Sequence, residues 1–114
     1  MKQRPHLKAE YDRLRREIEA IRKTGEVAPE GINIVPYKVR EYEYYKLVAK
    51  DSIFIGKNGK KTKTQHLGDI DSLNYHKARM AINRRNAIKR LEDQRHRIKL
   101  LMSEYLPTAT DFKI

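Results

Sequence analysis

The stretch from Tyr37 to Gly68 restricts the fold of this chain more than any other. Its first part alternates in type, with Tyr42, Tyr44, Lys46 and Val48 on one side and Glu41, Glu43, Tyr45 and Leu47 on the other. Alternation of period two, rich in Tyr and Val, suits a strand, because successive side chains point to opposite faces. A short apolar run follows at Ile53, Phe54 and Ile55, and then Lys57-Asn58-Gly59-Lys60. Asn-Gly between two strand-like runs predicts a tight type I′ turn, since both residues tolerate positive φ. The return, Lys61 to Leu67, alternates again and stops at Gly68. These features predict a two- or three-stranded antiparallel sheet with a lysine-studded tip, carried between two helices.

The first helix is expected over residues 4–24. Pro5 suits its first turn, where a missing N–H costs nothing. Leu7, Tyr11, Leu14, Ile18 and Ile21 recur at spacings of four and three, giving a seam able to pack one partner helix. Thr24-Gly25 marks its end, with Arg22 and Lys23 at the negative end of the dipole. Residues 25–36 hold two Pro and two Gly and read as a connector, with Ile32, Ile34 and Val35 tucked against the sheet and Pro36 at the start of the strand region. After the hairpin, Asp69, Asp71 or Ser72 is placed to cap a long second helix over 72–105. Its apolar positions are Leu73, Ala78, Ala81, Ile88, Leu91, Ile98, Leu101, Met102 and Tyr105, a stripe that is clean only from Ile88 onward. The simplest packing lays Ile88–Tyr105 antiparallel on the Leu7–Ile21 seam. Pro107 closes the helix and leaves residues 106–114 as a tail, in which Phe112 and Ile114 are apolar enough to dock. The expected class is α+β, in one domain covering residues 1–114.

Composition narrows the functional classes. The chain has 114 residues, 39% hydrophobic and 36% charged, so its core must be thin. It contains no Cys, which excludes disulfides, thiolate metal sites and thiol nucleophiles. No apolar run approaches the roughly 18 residues of a membrane span, and the charged N-terminus lacks a signal-peptide core, so a cytoplasmic protein is expected. The net charge is +11. Residues 31–70 carry eight Lys/Arg against four Asp/Glu, and residues 71–114 ten against five, so the excess lies in the hairpin and the second helix. Such an excess points to a polyanion, because each cation meeting a phosphate releases condensed counterions.

Nothing suggests catalysis. His6, His66, His76 and His96 are not paired at metal-ligand spacing. Glu41 and Glu43 share one side of a strand, where exposed carboxylates facing lysines are commoner than a two-carboxylate metal site. Gly56, Gly59 and Gly68 belong to turns, and GKNGKK lacks the spacing of a phosphate loop. No Arg-His-Arg set gathers around any of the seven tyrosines. The chain is therefore expected to be no enzyme and to need no cofactor or metal.

The basic features say more. Lys57, Lys60, Lys61 and Lys63 line a hairpin narrow enough for the major groove, where alternate side chains reach base edges or phosphates. The same lysines also protect an edge strand from aggregation. Tyr44, with Tyr42 and Tyr45, can stack on exposed bases, although one face of the sheet must bury its tyrosines. On the second helix Arg79, Arg84, Arg85, Lys89 and Arg90 form a ridge able to track a phosphate backbone.

The run Tyr44–Gly68, YYKLVAKDSIFIGKNGKKTKTQHLG, resembles a β-hairpin segment of transposases and small transposon-associated proteins. In these a Tyr-Tyr-x-Leu strand leads into Gly-Lys, a Lys/Thr-rich return and a closing Leu-Gly. The matching residues are Tyr44, Tyr45, Leu47, Gly59, Lys60, Lys61, Thr62, Leu67 and Gly68, within about a fifth of the chain. In outline it is also similar to the arm-type DNA-binding domains of tyrosine recombinases, from which the preceding helix departs. The resemblance implies a hairpin that contacts nucleic acid, in a protein of a mobile element, phage or defence system, and carries over no catalytic role. The favoured function is thus non-catalytic nucleic-acid binding, with DNA ahead of RNA as the partner and no membrane. Two rivals stand beside it: a factor or phage-encoded inhibitor docking on an acidic groove of a larger nucleoprotein complex, and an RNA-binding ribonucleoprotein component. The Leu7–Ile21 seam also allows a homodimer.

Overall fold

The computed structural model describes residues 5–105. The expected tail, with Pro107, Phe112 and Ile114, lies outside the described residues, as does position 4. The order of elements is α1 (Pro5–Lys23), β1 (Ile32–Val39), β2 (Tyr42–Ala49), β3 (Phe54–Ile55), β4 (Lys61–Thr62), β5 (Thr64–Gly68) and α2 (Leu73–Tyr105). The fold is α+β, and the chain forms two compact units. One is Glu26–Arg85; the other joins the residues up to Gly25 with those from Asn86 onward.

In the helical unit the seam of α1 packs antiparallel on the C-terminal part of α2. Leu14 and Ile18 are buried on α1, as are Ile88 and Met102 on α2. Leu101, expected in the stripe, is exposed. Arg95 sits inside it instead: its guanidinium lies 3.8 Å over the Tyr11 ring and its Nε donates to the Tyr11 carbonyl at 3.1 Å. The helix pair carries a further ion pair, Arg22 to Glu92 at 3.5 Å. Much of the outer charge of α1 is neutralised along the helix, Lys8 by Asp12 and Arg13 by both Glu10 and Glu17. The hydrogen bonds of Arg13 hold the Glu10 carboxyl below its ordinary pKa. Both the N–H and the hydroxyl of Thr24 close α1 on the Ile21 carbonyl.

The other unit is an antiparallel sheet of order β1-β2-β5, with β3 and β4 as a separate two-stranded ribbon. The connector is shorter than residues 25–36, because Ile32–Pro36 belongs to β1 and pairs with β2 from Ile32↔Ala49 to Val39↔Tyr42. Pro36 therefore sits within a strand rather than at its start. It is tolerated because β1 is an edge strand, where a missing donor leaves no neighbour unpaired. Arg40, with φ of 59°, supplies the positive φ for the two-residue turn into β2.

Alternation along the sheet then sorts the side chains. Ile32, Ala49 and Leu67 are buried on the inner face, together with Tyr75 and Ile82 of α2. The Tyr45 and Tyr75 rings lie 4.4 Å apart. Leu73, expected among the apolar positions, is exposed, and the stripe of this part of α2 is Tyr75, Ala78 and Ile82. Ser72 caps α2: its Oγ accepts from the Tyr75 N–H at 3.4 Å and donates to the Leu67 carbonyl. Asp69 builds the preceding turn instead, its Oδ1 accepting from the Asp71 N–H at 3.0 Å. Gly68 is fixed by this approach. Its φ is +100° and a Cβ there would stand 2.9 Å from that of Ser72.

Candidate nucleic-acid interface

Between Ser52 and Gly68 the chain has four lysines and no carboxylate. The ribbon that carries Lys57, Lys60 and Lys61 is built by its turn, and Lys63 follows β4, its carbonyl accepting from the Ala49 N–H of β2 at 2.8 Å. Gly56 N–H donates to the Lys60 carbonyl at 2.7 Å, and Gly59 N–H to the Gly56 carbonyl at 3.0 Å. Gly59 has φ of +79° whereas Asn58 does not lie at positive φ, so the expected Asn-Gly type I′ turn does not form and the central pair is Lys57-Asn58. Asn58 serves through its side chain, whose Oδ1 accepts from the Lys60 N–H at 3.1 Å. The loop thus has three residues closed by a glycine, the next commonest solution for a hairpin. Lys57, Lys60, Lys61 and Lys63 are all exposed, and among the described residues none of them is paired with a carboxylate. Ile55, opposite Lys61, is also exposed.

The tyrosines separate by face. Tyr45 turns inward, where burial first, and then the neighbouring Glu43 carboxylate, raise its phenol above the ordinary value. Tyr44 turns outward with its cross-strand partner Tyr37, ring centroids 5.8 Å apart. The Tyr37 ring meets His66 of β5 at 5.5 Å, its hydroxyl lies 2.9 Å from His66 Nδ1, and Lys46 Nζ stands 5.4 Å over it. Tyr37, Lys46 and His66 were not among the residues that the sequence singled out for binding. The signal was the Arg40-Glu41 turn, which once placed makes Tyr37 and Tyr44 partners.

The helical arginines have other partners. Arg79 bonds the Tyr75 hydroxyl at 3.2 Å and lies 5.4 Å over that ring. Arg84 donates to the Glu26 carbonyl at 3.2 Å, and Arg85 to the carbonyls of Pro29 and Ile32 at 2.9 and 2.6 Å. These bonds, with that from Ala28 N–H to the Ala81 carbonyl at 3.1 Å, hold the connector to α2. Lys89 and Arg90 are exposed and belong to the helical unit.

A groove of about 430 Å³ lies in the sheet unit between the connector, the ribbon and α2, lined by Ile32, Leu47, Ile53, Phe54, Leu67 and Ile82 among others. No group of three His, Asp or Glu among the described residues is placed to hold a metal ion. No helix there is long and apolar enough to cross a membrane. No protein-family model, curated protein or solved structure matches the chain.

Proposed function

We propose that this protein binds nucleic acid without catalysis, gripping the phosphodiester backbone with the lysines of the β3–β4 ribbon. The observation that carries the reading is the set of exposed ammonium groups at Lys57, Lys60, Lys61 and Lys63, in a segment that contains no acid to neutralise them. Four cations within seven residues, three on the ribbon and Lys63 at its junction with the sheet, are an electrostatic match for closely spaced phosphates, and counterion release supplies the affinity. Lys89 and Arg90 are exposed cations of the helical unit. Arg84 and Arg85 enter as supports for the connector. The test is fluorescence anisotropy with labelled oligonucleotides over a range of salt, comparing the wild type with the triple variant Lys60→Ala, Lys61→Ala, Lys63→Ala. The variant is expected to bind more weakly with unchanged circular dichroism. Its log–log salt slope should flatten by about 2 to 3, given roughly 0.7 to 0.9 per phosphate contact. An unchanged affinity and slope would refute the reading.

A second reading, docking on an acidic protein groove of a larger nucleoprotein complex, draws support from Ile53 and Ile55. These aliphatic side chains are 50% and 78% exposed on the same ribbon, and a phosphate backbone offers them nothing. Indifference to every nucleic acid tested would favour this second reading.

A further inference from the structure

We infer that the outward face of the three-stranded sheet is a stacking platform for the bases of single-stranded nucleic acid. The inference rests on the nucleic-acid reading above and adds the strandedness of the partner and a second contact surface. Strand register places Tyr37 and Tyr44 on the face opposite Tyr45, and on the inner face Ile32 and Ala49 are buried and Tyr45 meets Tyr75 of α2. Among the described residues, the ring and cation contacts of the outer set join Tyr37, Tyr44, Lys46 and His66 to one another. At its centre Tyr37, Tyr44 and His66, one from each strand, bring three rings within 5.8 Å of their neighbours. Tyr42 extends the row and keeps 66% of its surface exposed.

Charge selects the occupant. No outward position on the three strands is Asp or Glu; the strand carboxylate, Glu43, alternates to the inner side with Tyr45. Lys46 is the outward cation, seated over the Tyr37 ring. A surface that pairs π faces with cations and excludes carboxylates complements a chain that pairs bases with phosphates. It is a poor match for a duplex, whose base faces are hidden in the stack, so a duplex meets only the lysines. Cross-strand aromatic pairing also stabilises a sheet. That role alone leaves Tyr42, which has no ring partner among the described contacts, without a purpose.

The experiment measures binding of the full chain to a labelled 20-nucleotide single-stranded DNA, the RNA of the same sequence, and the corresponding DNA duplex. Proteins compared are the wild type, Tyr37→Leu with Tyr44→Leu, Tyr37→Phe with Tyr44→Phe, and the lysine triple variant. Single strands are expected to bind at least tenfold more tightly than the duplex. The leucine pair should lose roughly tenfold on single strands for each stacked base given up, leave duplex binding alone, and be rescued by the phenylalanine pair. Comparing the DNA and RNA arms decides which single strand is preferred. Photocrosslinking of the wild type to a 5-iodouracil single strand, with mapping of the adduct, keeps the test independent of how the leucine pair folds; adducts at Tyr37, Tyr42, Tyr44 or His66 are expected. Equal binding of single strand and duplex, with silent tyrosine variants and adducts elsewhere, overturns the platform while the lysine variant still reports on the ribbon. No binding to any of the three overturns the nucleic-acid reading itself, and the platform with it.

Discussion

Arg85→Ala separates a structural arginine from a binding one. The Arg85 guanidinium donates to two carbonyls, those of Pro29 and Ile32, at 2.9 and 2.6 Å. Pro29 is exposed and its carbonyl recovers a water when the donor is lost, so that bond contributes little net. Ile32 is only 5% exposed, and its carbonyl has less access to solvent. Leaving a partly buried acceptor without its charged donor costs about 1–3 kcal/mol. Removing the aliphatic stem, which packs where the stripe of α2 continues, adds roughly another 0.5–1 kcal/mol. The expected loss is therefore about 1.5–4 kcal/mol. In urea, where a domain of this size has a slope of roughly 1–3 kcal/mol/M, the midpoint should fall by about 0.5 M or more. Circular dichroism at 222 nm is the probe. Arg85→Lys should recover only part of the loss, because one ammonium cannot serve two diverging acceptors as a planar fork does. Nucleic-acid affinity, measured where the variant is still folded, should change less than threefold. An unmoved urea midpoint together with a tenfold or greater loss of affinity would refute the assignment and return Arg85 to the binding surface.

Two further outcomes follow from the core and from Tyr45. Leu14, 1% exposed, anchors the helical unit; Leu14→Ala should cost about 2–5 kcal/mol by cavity formation and Leu14→Asp should abolish its packing, seen as lost helicity, whereas an unchanged melting curve for Leu14→Asp would sink the α1–α2 arrangement. Burial and then Glu43 raise the Tyr45 phenol above its ordinary 10.0, so the folded state retains that proton longer than the unfolded chain does. This contribution to stability is complete below pH 10 and is lost as pH rises through the folded-state value. Urea midpoints between pH 9 and 11 should therefore fall less steeply for Tyr45→Phe than for the wild type, and parallel declines would refute the environment assigned to this residue.

The elements themselves were legible because their signals are local. The seam Leu7–Ile21 predicted α1, and alternation from Tyr42 to Val48 predicted β2. What escaped was decided by tertiary context. Pro36 argued against a strand through Ile32–Val39, and only the position of β1 at the sheet edge makes it harmless. Asn58-Gly59 announced a turn but not its frame, since glycine at positive φ serves a two-residue and a three-residue loop alike. The stripe of α2 looked ragged because arginines stand in it. Tyr75, Ala78, Ile82, Arg85, Ile88, Leu91, Arg95, Ile98 and Met102 form one series at helical spacing, and every member is buried or half-buried. Read as polar, Arg85 and Arg95 break the pattern; read as stems with forked ends that meet backbone carbonyls, they complete it. The candidate site was legible to the same degree: the lysines by their number, Tyr44 by its period, but Tyr37 and His66 only through strand register.

The division of labour between the two basic residue types bears on what the interface can discriminate. Arg79, Arg84, Arg85 and Arg95 all bond a backbone carbonyl or a tyrosine hydroxyl, and Arg13 and Arg22 pair with carboxylates. The guanidinium is a rigid, weakly hydrated fork, so it gives up water readily to bind two acceptors at fixed angles. The segment from Ser52 to Gly68 carries lysine at all four basic positions. An ammonium is a compact, strongly hydrated charge on a flexible stem, and it follows phosphates wherever they lie without demanding a geometry. Several of the guanidinium donors are thus engaged within the fold, while their charge still adds to the field that attracts a polyanion. Lysine contacts to a backbone combined with ring contacts to base faces, which every base possesses, provide no readout of sequence. The affinity proposed for this protein should then depend steeply on salt and on strandedness and only weakly on base order, because none of the groups assigned to the interface forms the paired, directional hydrogen bonds that tell one base from another.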